Sequence, residues 1–326
     1  MNLKDLKYLV ALADTGHFGK AAERTFVSQP TLSAQLKKLE EYLGVKLVER
    51  QPKNVRLTEV GKQIVVRARR MLAESEEIIG LARSNTDPFA GKLKVGLIPT
   101  IGPYLLPRIM QKIRKAVPQL GLMLYEYQTE ALLKRLRDGE IDLGIMALPV
   151  LQDGLESRAL YEEAFTVALP THHPLAAKNT IKVADLKGQT LLLLEDGHCL
   201  RDQALAFCAT ARNRATGAAG TAFGASSLTT VMQMVAGGYG VTLIPQIAAD
   251  VERRDERVKL LRLKNPQPGR TIGLVFRRTS PRKADFAALG EVVKESLDMP
   301  PAKPTGDPAG MKRPDIARRR PNKKGG

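Results

Sequence analysis

The chain has 326 residues, 43% of them apolar, a formal net charge of +17 and two cysteines. That length predicts about two domains, and so few cysteines argue against a secreted disulfide scaffold and for a reducing compartment. The opening Met1-Asn2-Leu3-Lys4-Asp5-Leu6-Lys7 has charges where a signal peptide needs an apolar run, and no stretch is long and apolar enough to span a membrane. The chain is therefore expected in the cytoplasm with no membrane partner, and its basic excess points to a polyanion.

Leu3, Leu6, Leu9, Val10 and Ala13 recur at helical spacing, and Gly16 ends that helix. A second short helix fits Phe18 to Arg24, where Ala21 and Ala22 let another helix pack closely. Ser28 as a cap and Pro30 in the first turn open a third helix that runs to about Tyr42, with Leu32, Leu36, Leu39 and Leu43 inward and Gly44 as its stop. The outer face carries Gln29, Pro30, Thr31, Ser33, Gln35, Lys37 and Lys38. Short hydroxyl and amide groups near the helix start reach base edges, and lysines beyond them neutralise phosphate.

Lys46 to Arg50 and Asn54 to Thr58 read as a small hairpin whose loop region holds Arg50, Lys53 and Arg56. Residues 1–58 are thus predicted to form a winged helix-turn-helix on double-stranded DNA, with Ser28, Gln29, Pro30, Thr31, Ser33, Lys37, Arg50, Lys53 and Arg56 as contacts. A three-helix interaction module would leave the basic wing unexplained.

Residues 59–91 read as a linker: one proline-free helix from Glu59 to about Asn85, then a hinge through Pro88 to Gly91. Ile64, Ala68, Met71, Ser75, Ile78 and Ala82 alternate spacings of four and three, with Val65, Leu72 and Ile79 on the adjacent stripe. This is a coiled-coil seam, which predicts a dimer; the alternative is a single helix packed on a core.

Residues 92–297 alternate strand and helix signals. Strands fit Lys92 to Ile98, Leu122 to Tyr127 and Ile141 to Met146, separated by a helix ending at Ala116 and one with Leu132, Leu133 and Leu136 inward. That order predicts a parallel sheet with ligands beyond the strand carboxyl ends, where Thr100 and Thr129 fall. Each threonine either caps its helix or points into a crevice.

A second unit is read from strands at Phe165 to Leu169, Leu191 to Leu194 and Val241 to Pro245 and a helix with Leu228, Val231, Met232 and Val235 on one face; Thr271 to Phe276 is a late strand that Arg270 enters, and a last helix covers about Lys283 to Leu297. The expected fold class is α/β: a winged helix-turn-helix and long linker helix, then a two-lobed, periplasmic-binding-protein-like effector domain. Lobe I is about 92–162 and 268–297, and lobe II about 163–267. His172-His173-Pro174 lacks partner ligands and reads as loop, and neither a metal nor a cofactor is expected. Residues 298–326, rich in Pro, Gly and basic side chains, are expected to be a disordered tail.

Both cysteines lie in one segment, Cys199 and Cys208, nine positions apart. Thiolate is the reactive form, and positive charge or a helix N-terminus favours it. Cys199 has His198 and Arg201 beside it and follows the turn Glu195-Asp196-Gly197, whereas Cys208 has Ala206, Phe207 and Ala209 around it. One sulfur reads as activated and the other as stored. On a continuous helix their Cα atoms would lie about 13 Å apart, against the roughly 5.5–6 Å of a disulfide. A bond between them requires the segment to unravel, which suits a switch; two unrelated buried thiols are the alternative.

The block Ala21-Ala22, Val27-Ser28-Gln29-Pro30-Thr31-Leu32-Ser33, Leu39-Glu40 and Leu43-Gly44 resembles the LysR-type transcriptional regulators. Gly96 to Pro107, Leu194 to Gln203 and Arg270 to Leu274 resemble that family's hydrogen peroxide-sensing branch, and the likeness spans residues 1 to about 297. The resemblance implies a non-enzymatic activator of oxidative-stress genes. Peroxide would meet Cys199 in a pocket shaped by Thr100, Thr129, His198 and Arg270, and a reversible Cys199–Cys208 disulfide would follow. It also implies a homotetramer, recruitment of RNA polymerase and resetting by a thiol reductant such as glutaredoxin or thioredoxin. A LysR-type regulator of a small metabolite held between the lobes, or a thiol peroxidase that binds DNA, are the competing readings.

Overall fold

The computed structural model describes residues 1–50, 55–84, 91–208, 224–297 and Pro300. Helix α1 (Leu3–Thr15) begins with a reciprocal cap, in which Asn2 Oδ1 accepts from Asp5 N at 3.0 Å and Asp5 Oδ2 accepts from Asn2 N at 2.9 Å. It ends at Gly16, whose φ of 61° is the left-handed conformation this stop needs. Helix α2 (Phe18–Arg24) is capped by His17, and α3 (Gln29–Leu43) by Ser28, which accepts from Thr31 N at 3.3 Å. Leu9, Leu12, Ala21, Leu32, Leu36 and Leu39 close one small core. Glu40 ties the wing to α3 by accepting from Leu47 N and Val48 N at 2.8 and 3.1 Å. The wing is an antiparallel pair, β1 (Val48–Arg50) and β2 (Val55–Leu57).

Helix α4 (Glu59–Ser84) is the linker. Its apolar stripe is divided. Val65 and Ala68 are buried, Val65 in the core of the head, while Met71, Ile78 and Ile79 are exposed. The first part of the expected seam is thus occupied by the chain's own head, and the later part presents an uncovered apolar face.

The effector region opens with β3 (Gly91–Leu97), α5 (Gly102–Ala116), β4 (Leu120–Glu126), α6 (Thr129–Arg137) and β5 (Leu143–Leu148). The long strand β6 (Leu155–Pro170) follows, then β7 (Thr180–Ile181), β8 (Leu193–Leu194), α7 (Cys199–Cys208), β9 (Gly224–Ala225), α8 (Leu228–Ala236), β10 (Thr242–Pro245), α9 (Gln246–Glu252), β11 (Val258–Leu263), β12 (Gly269–Arg277) and α10 (Lys283–Ser296). The sheet runs β4-β3-β5-β12-β6-β11-β7, with β10 also on β6. Strands β3, β4 and β5 are parallel as expected, but β12 enters antiparallel to both β5 and β6.

Strand β6 joins the two lobes. Its first part pairs with β12 up to Ala164, and Phe165 onward pairs with β10 and β11. Only Phe165 to Leu169 reads as strand in the sequence, because Glu156, Arg158, Glu162 and Glu163 interrupt the apolar pattern upstream. His173 is more than loop. It caps a short 3-10 turn, Pro174–Ala177, through Leu175 N at 3.2 Å, and pairs with Gln189 at 3.0 Å. The chain therefore folds as a winged helix-turn-helix, a linker helix and a two-lobed α/β effector region. No helix among the described residues is long and apolar enough to cross a membrane.

Candidate functional site

The site is built at the start of α7. Gly197, with φ of 95°, turns the chain out of β8, and Cys199 is the first helical residue. Cys199 is half-buried and His198 buried. Leu200 and Ala204 anchor the helix in the core, and Phe207 packs on Phe165 with ring centroids 5.5 Å apart. One continuous helix spans both cysteine positions, so their Cα atoms sit about 13 Å apart. The side chain of Cys208 lies outside the described residues.

The charges expected beside Cys199 are arranged differently from their order in the sequence. Arg201 turns away: it donates to Leu194 O at 3.0 Å and pairs with Asp196 at 2.8 Å. Burial lowers the pKa of His198 below the ordinary imidazole value, with Glu195 opposing the shift, so His198 is neutral near pH 7. The positive charge at the site comes instead from Arg270 on β12. Burial alone would lower its pKa, but the charges of Glu163 and Cys199 raise it, so the guanidinium stays ionised.

Arg270 is fixed on every side. Its Nη1 donates to Thr100 Oγ1 at 2.9 Å, its Nη2 to Thr100 O at 3.2 Å and its Nε to Glu163 Oε2 at 2.8 Å. The second oxygen of Glu163 accepts from Ile247 N at 2.8 Å. The guanidinium also sits over Phe165, 5.9 Å from the ring centroid.

From the other lobe, Gln128 Nε2 reaches Glu195 Oε1 at 3.0 Å and His198 Nε2 at 3.2 Å, and Thr129 N donates to Gly197 O at 3.3 Å. The capping alternative fails for both threonines. Ile101 and Gln128 occupy the N-cap positions of α5 and α6, with no side-chain cap bond in either.

The structure thus brings Thr100 and Arg270 together directly, and places Thr129 and His198 on the two sides of the Gly197 turn that delivers Cys199. Three buried side-chain atoms here have no hydrogen-bond partner among the described residues: Thr129 Oγ1, His198 Nδ1 and Gln203 Oε1. Gln203 lies four residues after Cys199, on the same helix face. Orphaned buried polar atoms are costly unless a partner satisfies them. The sequence reading missed Gln203, Gln128, Glu195 and Glu163. For Gln203, four residues after Cys199, and Glu195, three before His198, short spacing was an available signal; Gln128 and Glu163 meet the site only through the fold. No cluster of His, Cys, Asp or Glu suited to a metal occurs among the described residues.

On the head, Gln29, Pro30, Thr31, Lys37 and Arg56 are exposed and Ser33 is half-buried. Ser28 Oγ is engaged in capping and contacts Thr31 Oγ1 at 2.7 Å. Lys37 pairs loosely with Glu41 at 3.7 Å. Arg50 ends β1 without a described side chain, and Lys53 and all of the basic tail except Pro300, whose carbonyl accepts from Glu162 N at 3.0 Å, lie outside the described residues.

Residues 3–62 match the bacterial regulatory helix-turn-helix protein, lysR family, and residues 86–298 match the LysR substrate binding domain. The chain is 43% identical over 298 residues to the DNA-binding transcriptional dual regulator OxyR of Escherichia coli (strain K12), covering 91% of this chain and 96% of that protein. It is 42% identical over 299 residues to the hydrogen peroxide-inducible genes activator of Dickeya chrysanthemi, covering 92% and 97%. A full-length cysteine-to-aspartate variant of Pseudomonas aeruginosa OxyR superposes with a TM-score of 0.79 at 38% identity, covering 93% of this chain and 98% of that one. A cysteine-to-serine variant of Corynebacterium glutamicum OxyR, bound to hydrogen peroxide, gives a TM-score of 0.63 at 35% identity, covering 90% and 92%. The chain belongs to the LysR family of DNA-binding transcriptional regulators and, within it, to the OxyR type.

Proposed function

We propose that this regulator senses hydrogen peroxide through Cys199 and stores the signal as a Cys199–Cys208 disulfide. The observation that carries the reading is the set of unpartnered atoms around Cys199, with the Arg270 charge beside them. The likeness to hydrogen peroxide-inducible activators, and to a relative that holds peroxide, supports the same assignment.

In the first step the Cys199 thiolate attacks one peroxide oxygen. The S–O bond forms, the O–O bond breaks, and the departing hydroxide takes a proton and leaves as water. Thr100, Thr129, His198 and Gln203 supply hydrogen bonds to the peroxide, and Arg270 supplies fixed positive charge against the anion that develops. In the second step the Cys208 thiol ionises and its thiolate attacks the sulfenic sulfur; the S–S bond forms, the S–O bond breaks, and the departing hydroxide takes up the proton that the thiol gave up and leaves as a second water. Two thiols lose two electrons, which reduce one peroxide to two waters. A dithiol reductant of the glutaredoxin or thioredoxin class resets the pair.

The second step needs α7 to unwind. That change repacks the effector regions of a dimer or tetramer, moves the heads on operator DNA and alters contact with RNA polymerase. Ser28, Gln29, Pro30, Thr31, Ser33, Lys37, Arg50, Lys53 and Arg56 form the DNA face in this reading.

Mass analysis after one equivalent of peroxide with a sulfenic-acid trap tests the assignment. The expected products are the disulfide in the wild type, a trapped sulfenic acid on Cys199 in Cys208→Ser, and no cysteine oxidation in Cys199→Ser. Oxidation of Cys208 first would reverse the roles of attacker and resolver. A transcriptional response that survives Cys199→Ser would favour a metabolite between the lobes.

A further inference from the structure

Gln128 precedes the first residue of α6 and spans two side chains of the opposite lobe. Its Nε2 lies 3.0 Å from Glu195 Oε1 and 3.2 Å from His198 Nε2. An ionised carboxylate only accepts hydrogen bonds, so the amide atom facing Glu195 is the NH₂ nitrogen and the amide orientation is fixed. The second hydrogen of that nitrogen is directed at His198 Nε2, which must offer a lone pair. Glu195 Oε1 is 3.8 Å from the ring nitrogen, beyond hydrogen-bond range, so the Gln128 amide, at 3.2 Å, is the nearer partner of Nε2.

A neutral imidazole whose Nε2 accepts carries its proton on Nδ1. That atom is one of those buried without a partner among the described residues, on a side chain only 2% exposed. A buried N–H donor with no acceptor is costly unless a ligand supplies one. Gly197 leaves room for this amide: a Cβ there would lie 2.6 Å from Gln128 Oε1 and would displace it.

We propose that Gln128 is a positioning residue that locks His198 in the Nδ1–H tautomer, so that the ring presents a hydrogen-bond donor to peroxide at Cys199. The consequence for peroxide rests on the reading above; the tautomer rests on this geometry alone.

Nitrogen-15 NMR of histidine-labelled full-length protein tests it. The chain has four histidines, and His198→Gln assigns the signal. The wild type is expected to show a protonated Nδ1 and an unprotonated Nε2 at His198. Gln128→Leu keeps bulk but removes the donor, and is expected to move the proton to Nε2. The same variant should slow peroxide oxidation of Cys199 by about 10–100-fold, while alkylation of Cys199 by iodoacetamide, which needs no such donor, changes by less than about twofold.

A wild-type ring protonated on Nε2, or an unchanged tautomer in Gln128→Leu, overturns the proposal. Equal slowing of both reactions marks a general distortion and also overturns it. A tautomer shift with an unaltered peroxide rate removes the role at peroxide. If wild-type Cys199 does not react with peroxide, the sensing reading fails by itself and the NMR result still decides what Gln128 does.

Discussion

Glu163 and Arg270 stand directly opposite each other in the β6–β12 ladder, and their side chains meet at 2.8 Å with neither exposed to solvent. The pair lies on the strand that joins the lobes, and the guanidinium edge not used by Glu163 is turned to Thr100. Removing one partner of such a pair leaves a buried charge uncompensated, which costs about 3–5 kcal/mol. Glu163→Ala should therefore lower the urea midpoint sharply, and Glu163→Gln, which keeps an acceptor for Ile247 N, should lower it less. Equal midpoints for Glu163→Ala and wild type would mean that the pair is not held closed in solution.

That contact illustrates what the sequence could and could not disclose. The head was legible throughout: its apolar positions follow the helical period and its stops fall on Gly16 and Gly44, so local rules suffice. A helix from Cys199 was read only conditionally, from the Glu195-Asp196-Gly197 turn before it. The charge at the site was not. Adjacency pointed to His198 and Arg201, yet the fold spends Arg201 on Leu194 and Asp196 and keeps His198 neutral. Arg270 arrives from β12, and only resemblance had pointed to it. Glu163 and Gln128 reach the site across separations of 107 and 70 residues, for which no local pattern exists. The apolar stripe of α4 read as one seam, but Val65 belongs to the core of the head and Ala68 is buried within the chain.

His198 gives the stability a pH dependence of definite sign. Burial lowers its pKa in the folded chain, so as pH falls below the ordinary imidazole value of about 6.5 the unfolded chain takes up the proton first. This contribution is fully present above that pH and is lost progressively as pH falls toward the folded pKa. His198→Gln should flatten the fall of the urea midpoint as pH drops below about 6.5, relative to wild type. An identical slope in both proteins would assign the dependence to other groups.

Arg69 of α4 links the head to the effector region within one chain. It pairs with Asp14 on α1, and with Glu140, between α6 and β5, at 2.5 Å. Arg135 also holds Glu140 and lies over the Tyr127 ring, 4.4 Å from its centroid, one residue before Gln128. Arg69→Ala should leave oxidation of Cys199 intact but shrink the difference between reduced and oxidised DNA footprints, by a coupling of about 0.5–2 kcal/mol. Footprints that shift as far as in wild type would show that coupling bypasses this bridge.

The central claim is that oxidation and the helix α7 exclude each other. In the reduced chain Leu200 and Ala204 are buried and Phe207 packs on Phe165, contacts that hold the helix; a large apolar side chain such as Leu200 is worth about 1.5–3 kcal/mol when buried. A disulfide tolerates a Cα separation of at most about 7 Å, far less than the helix imposes. Hydrogen exchange across residues 200–208, measured on the reduced and the peroxide-oxidised protein, reads this directly. Protection in the reduced state that is lost on oxidation is the predicted result. Equal protection in both states would contradict the account, even with the disulfide present.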